Sequence, residues 1–184
     1  MNMIPASRPK LTQIQALQHL TTFKGLDTYR VKLLGLRGYY KESMGVNELN
    51  EIGIYDDAIF IITPDSFASF NFNTDPSHLK PGTARVKPET MTLYKIGMHN
   101  MKAPYEALRQ HGRVTVTRAG KTGEFTDTAA APFYIDIHKG GYSTTSSLGC
   151  QTVPPEQWTA FLAMVKDQIS RYDQKIIPYY LKEV

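Results

Sequence analysis

Apolar residues recur along this chain at two different periods, and the change of period marks out its elements. Between Leu11 and Phe23, the residues Leu11, Ile14, Leu17 and Leu20 fall on every third position, Thr12 stands before Gln15 at capping-box spacing, and Gly25 supplies a stop. This predicts a short amphipathic helix packed on the edge of the main body. Further on the period shortens. Ile54 to Ile62 (IYDDAIFII) and Phe67 to Asn73 (FASFNFN), separated by Pro64 and Asp65, read as a β-hairpin. Thr90 to Ile96, Arg113 to Arg118 and Phe133 to His138 are further strand candidates between Gly, Pro or polar turn residues. The clearest helix covers Pro155 to Ser170, where Trp158, Phe161, Leu162, Val165 and Ile169 line one face behind Pro154 and Pro155, which a first turn tolerates. Lys175 to Leu181 (KIIPYYL) predicts a last strand, which Pro178 confines to a sheet edge. The pattern therefore predicts a mainly β, α+β fold: a sandwich or barrel-like sheet with flanking helices, one of them C-terminal. Residues 1–35 read as an N-terminal helical extension and residues 36–184 as the main domain.

Composition narrows the classes. At 184 residues, 41% hydrophobic and 21% charged, the chain can bury one core, and neither disorder nor a collagen-like repeat fits it. Cys150 is the only cysteine, so no intramolecular disulfide forms. Lys and Arg outnumber Asp and Glu by 21 to 17, which favours anionic surfaces. The basic residues are scattered from Arg8 to Lys182 without a run that tracks a phosphate backbone, so nucleic acid is not an expected partner. Met1 to Lys10 lacks the apolar core of a secretory signal and no stretch is apolar enough to span a membrane, so synthesis in the cytosol without a Sec signal is expected. No metal is expected, because H-x-H, H-E-x-x-H and cysteine pairs are absent, and no cofactor, because phosphate-loop and dinucleotide fingerprints are absent too. Asn71 to Ser77 (NFNTDPS) reads as a turn of Asx and Pro chemistry.

The chemistry concentrates in Phe133 to Val153 (FYIDIHKGGYSTTSSLGCQTV). Strand alternation puts Phe133, Ile135 and Ile137 on one face and Tyr134, Asp136 and His138 on the other, with His138 at the strand end. Gly140 and Gly141 then release the chain into a polar loop that returns to Ser147, Leu148, Gly149 and Cys150. Such a loop can fold the thiol back onto the imidazole, which would take or share the thiol proton. Gly149 lets its own amide and that of Cys150 turn towards an oxyanion, with Ser147 as a further donor. A thiol that follows glycine in a loop rich in Ser and Thr is not where core packing places a cysteine. His99 ends another strand-like segment and can line the same cleft, although a surface role is the simpler reading for it.

His138, a glycine-containing loop, then Ser147, Leu148, Gly149 and Cys150 resemble the signature of the YkuD-type L,D-transpeptidase domain. The family's usual histidine between Ser and Gly is Leu148 here, and its aliphatic residue and arginine after the cysteine are Gln151 and Thr152. The resemblance implies a YkuD-like β-fold acting on peptidoglycan stem peptides through a Cys150 acyl-enzyme, with His138 as base. It also implies a histidine oriented by a backbone carbonyl, which leaves Asp136 a secondary candidate orienter. Loss of the arginine, together with a short loop, favours L,D-carboxypeptidase action or exchange of the terminal residue over cross-linking. Work on the wall from a cytosolic origin implies release during phage lysis or injection. The competing reading is a non-catalytic wall-binding or virion structural domain with a passive Cys150.

Overall fold

The structure, a computed structural model, describes residues 2–45, 50–99 and 102–184. Its strands are β1 (Lys32–Arg37), β2 (Asp57–Ile62), β3 (Phe67–Phe72), β4 (Ala84–Val86), β5 (Thr90–His99), β6 (Tyr105–His111), β7 (Val116–Ala119), β8 (Phe125–Asp127), β9 (Ile137–Lys139), β10 (Gln151–Val153) and β11 (Ile177–Glu183), with helices α1 (Gln13–Leu20) and α2 (Pro155–Arg171). The fold is mainly β with flanking helices, and no helix among the described residues is long and apolar enough to cross a membrane.

Eight strands make one sheet in the order β10-β9-β6-β5-β11-β1-β2-β3, and β4, β7 and β8 make a second, smaller one. The large sheet is nearly a closed barrel. Its two end strands meet where Asn73 and Thr152 exchange backbone hydrogen bonds of 2.9 Å in both directions. The alternation of β1 and β2 sends Leu33, Ile59 and Ile61 into a core shared with Tyr179 and Leu181 of β11, with Val86 and Val116 of the small sheet, and with Trp158, Phe161 and Val165 of α2. Leu34, Leu36, Ala58, Phe60 and Ile62 face the opposite way and pack with Tyr180 beneath Ala16 and Leu20 of α1.

Several expectations need correction. The Thr12 capping box forms and Leu20 of the predicted stripe is buried, but Ile14 is 72% and Leu17 40% exposed, because a spacing of three drifts around a helix of 3.6 residues per turn; Ala16, one full turn before Leu20, is buried in their place. The expected boundary between residues 35 and 36 falls inside β1, which lies within the sheet between β11 and β2. β11 is central rather than an edge. Pro178 is tolerated because it precedes Tyr179, where the parallel ladder with β1 begins, so its missing N–H falls where only β5 is paired. Within Asn71 to Ser77 the Asx chemistry is present, with the Asp75 N–H donating to Asn73 Oδ1 at 3.4 Å, and the segment is buried rather than exposed at Asn73, Thr74 and Asp75.

Candidate active site

Only the end of the predicted Phe133 to His138 strand is extended, because Tyr134 takes a left-handed backbone, with φ of 59°, and breaks the run. Ile135 and Ile137 nevertheless reach the core, and Asp136 and His138 reach the other face. β10 runs parallel to β9 with Gln151 opposite Ile137 and Thr152 opposite His138, which brings Cys150 alongside Asp136. The loop before Cys150 is pinned from behind. Ser77 N–H donates to the Ser147 carbonyl at 2.8 Å, Ser147 N–H donates to Ser77 Oγ at 2.8 Å, and Ala84 N–H donates to the Leu148 carbonyl at 3.2 Å. Gly149, with φ of 149°, passes so close to Ala84 that a Cβ there would lie 3.0 Å from its Cβ and its carbonyl oxygen, so only glycine fits without a shift.

The sulfur's hydrogen-bond partners among the described residues are the Asp136 N–H at 3.4 Å and the Tyr134 carbonyl at 3.6 Å; none is recorded to His138. Burial pushes the Cys150 thiol up to about 11 against the stabilising Asp136 N–H, while the Asp136 charge raises it further and the Arg109 charge lowers it. His138 is buried, and this loss of hydration pulls its imidazole down to about 4, with the nearby His99 acting in the same direction. The resting pair is therefore a neutral thiol and a neutral imidazole.

His138 Nδ1 lies 2.8 Å from the Lys139 carbonyl oxygen and 3.3 Å from the Tyr105 hydroxyl. A carbonyl only accepts, so Nδ1 carries the proton and Nε2 the lone pair. Asp136 does not orient His138. Its carboxylate accepts from Nδ1 of His99 at 2.8 Å, from Nε of Arg109 at 2.9 Å and from the Gln110 N–H at 3.1 Å. His99 stacks on His138 with ring centroids 4.3 Å apart and planes 15° apart. The candidate cluster is thus Cys150, Asp136, His138 and His99, joined by Tyr105 and Arg109.

Tyr105 and Arg109 escape the sequence reading, because YEALRQ is rich in helix formers and no strand is predicted over β6. Other predicted site residues serve the scaffold. Ser147 Oγ accepts from the Gly149 N–H at 2.9 Å and donates to the Cys150 carbonyl, so the Gly149 amide is engaged and Ser147 shapes the turn. Gly140 lies under Tyr55, where a Cβ would collide with the phenol, and the Tyr55 hydroxyl donates to the Gly141 carbonyl at 2.8 Å. Gln151 is buried in the barrel wall, and Thr152 Oγ1 accepts from Asn73 Nδ2 at 3.2 Å, so neither reaches the cleft side chains around Cys150. The Cys150 N–H has no backbone acceptor among the described residues and stays available as a donor. Tyr134, whose carbonyl meets the sulfur, is itself 72% exposed. Among the described residues no group of His, Cys, Asp and Glu is arranged to hold a metal ion. No protein-family model, curated protein or solved structure matches the chain, so the reading of this cleft rests on its own geometry and on the motif around Cys150.

Proposed function

We propose that this chain is a cysteine-dependent acyl-transfer enzyme that acts on peptidoglycan stem peptides, a divergent YkuD-like L,D-transpeptidase. The observation that carries the reading is the pairing of β9 with β10: it sets Cys150 beside the strand that bears His138, an imidazole whose Nδ1 is committed to a backbone carbonyl and whose Nε2 is a base. Cys150 attacks the carbonyl after the third, diamino acid residue, and neutral His138 receives the thiol proton during attack rather than beforehand. The Cys150 N–H is the donor for the oxyanion. Action on the wall after phage lysis or injection is part of this reading.

Trimming or exchange of the terminal residue is favoured over cross-linking. The residues after the nucleophile are neutral and face inward, and the nearby cation, Arg109, is already held by Asp136 and by the Met98 carbonyl at 2.6 Å, which leaves little to clamp a second stem. With a purified diaminopimelate tetrapeptide muropeptide, mass spectrometry is expected to record tripeptide, or an exchanged terminus when a free D-amino acid is added, and neither with Cys150→Ala. Cross-linked dimers as the main product would reverse the preference. Unchanged muropeptide would return the chain to a non-catalytic wall-binding or virion structural role.

A further inference from the structure

Two imidazoles, not one, belong to the strands around Cys150: His138 on β9, and His99, which stacks on it and is held by Asp136, whose N–H meets the sulfur; their nitrogen assignments follow from their partners. His138 Nδ1 faces the Lys139 carbonyl at 2.8 Å, and His99 Nδ1 faces the Asp136 carboxylate at 2.8 Å. The carbonyl accepts only, and the Asp136 oxygen that faces His99 also accepts from Arg109 Nε at 2.9 Å, so each ring carries its proton on Nδ1 and its lone pair on Nε2. The stacked rings therefore each leave Nε2 bare. Their surroundings differ. The His138 side chain is buried at 5% exposure, whereas that of His99 is 23% exposed on the outer side of the stack. Groups around the pair are Asp136 and Cys150 from the β9 and β10 side, Tyr105 and Arg109 from β6, Tyr94 from β5, and Lys139, whose ammonium lies 5.4 Å from the Tyr105 ring.

We infer that the two histidines divide the reaction: His138 serves the thiol during acylation, and His99, held by Asp136, is the base that activates the acceptor during deacylation. This rests on the acyl-transfer reading above. In the first half the Cys150 sulfur bonds to the carbonyl carbon, the carbon–nitrogen bond breaks, and the thiol proton passes through His138 to the leaving amine. In the second half a water or free amine, arriving from solvent, meets His99 first. Its oxygen or nitrogen bonds to the carbonyl carbon, its proton passes to His99 Nε2, the carbon–sulfur bond breaks, and the departing thiolate takes a proton from solvent as His99 Nε2 returns its own to solvent. Asp136 is a positioning residue for His99, and its own N–H holds the sulfur at 3.4 Å, so one residue ties both halves together.

The test separates the halves without depending on the natural substrate. p-Nitrophenyl acetate is used to acetylate Cys150, and intact-protein mass spectrometry follows gain and loss of the acetyl group, with and without D-alanine. His138→Asn is expected to lower the rate of acetylation about 100-fold or more. His99→Asn is expected to acetylate within about threefold of wild type yet to lose the acetyl group, to water and to D-alanine, about 100-fold more slowly. His99→Phe keeps a ring stacked on His138 without a nitrogen, and the same slow deacylation is expected of it. Wild-type deacylation by His99→Phe would show that the ring only packs, and equal slowing of both steps by either variant would show that it only supports the fold; either outcome overturns the inference. Wild-type protein that acetylates and deacylates normally but leaves muropeptides unchanged would remove the wall substrate and keep the division of labour. A Cys150 that never acetylates would overturn both.

Discussion

At the scale of single residues, the cleft works against charge. The sulfur and the His138 ring are both deprived of water, so the thiol lies at about 11 and the imidazole at about 4. A preformed thiolate, which the cysteine–histidine spacing suggests, is thus not the resting state. Alkylation of native protein by iodoacetamide is accordingly expected to be slow at pH 7 and to rise steeply between about pH 9 and 11. Arg109→Gln moves that rise to higher pH by removing the cation that favours the thiolate. A rate that has levelled off by pH 8 would contradict this account. Much of the candidate cluster is legible in the chain, since a glycine before a lone cysteine and a histidine ending a β-run mark Cys150 and His138. The carboxylate's partners are not legible. Asp136 lies two positions from His138 and points the same way, but its acceptors are claimed by His99 and Arg109, which strand pairing brings from distant parts of the chain.

Among the elements, α2 shows how periodicity succeeds: a single apolar stripe at helical spacing, with prolines at its start, fixes both type and buried face. Trp158 sits 6% exposed against Phe161 at 5.7 Å and meets Tyr105 edge-on at 6.4 Å between ring centroids. Since Tyr105 bears on His138, α2 supports the cleft as well as the core. Trp158→Ala is therefore expected to lower stability by about 3–5 kcal/mol in urea titration and to reduce activity in parallel. Stability within about 0.5 kcal/mol of wild type would place Trp158 outside the packed interior. Elsewhere the periods mislead for identifiable reasons. β6 is written in residues that favour helix and becomes a strand because β5 offers it seven paired positions. The three-residue β9 and β10 are too short to carry any period, and they exist because the Asn73 to Thr152 contact closes the barrel around them.

For the molecule as a whole, the balance of buried acids sets a pH dependence. Asp56 and Asp57 are buried side by side, and both are raised above the ordinary carboxylate range, Asp56 to about 8 by burial, the Asp57 charge and that of Asp75, and Asp57 by burial and the Asp75 charge. A carboxyl raised on folding keeps a proton that the unfolded chain has lost, so its contribution is full below about pH 4 and disappears as pH rises through about 8. His138 acts oppositely. Pulled down to about 4 from 6.5, it favours the folded state increasingly as pH climbs between those values and then contributes no further slope. Two carboxyls lose while one imidazole gains, so stability already declines between about pH 4 and 6.5 and declines more steeply above about 6.5, where the gain from His138 has ended, until about pH 8. Thermal melts are expected to show a lower Tm at pH 8.5 than at pH 6, and Asp56→Asn is expected to flatten the difference. A Tm that climbs over this interval would mean that the acids are ionised in the fold.

The place of β11 in the sheet has a consequence for how the protein is made. This strand follows β1 to β10 and both helices in the chain, yet it stands between β5 and β1, pairing antiparallel with one and parallel with the other. Until Ile177–Glu183 has left the ribosome, the edges of β1 and β5 have no strand between them to pair with. Cys150 and His138 are synthesised before that point, but the barrel that holds β9 and β10 in register is completed only afterwards. The nascent chain thus carries all the reactive groups before β11 is there to complete the cleft that brings them together.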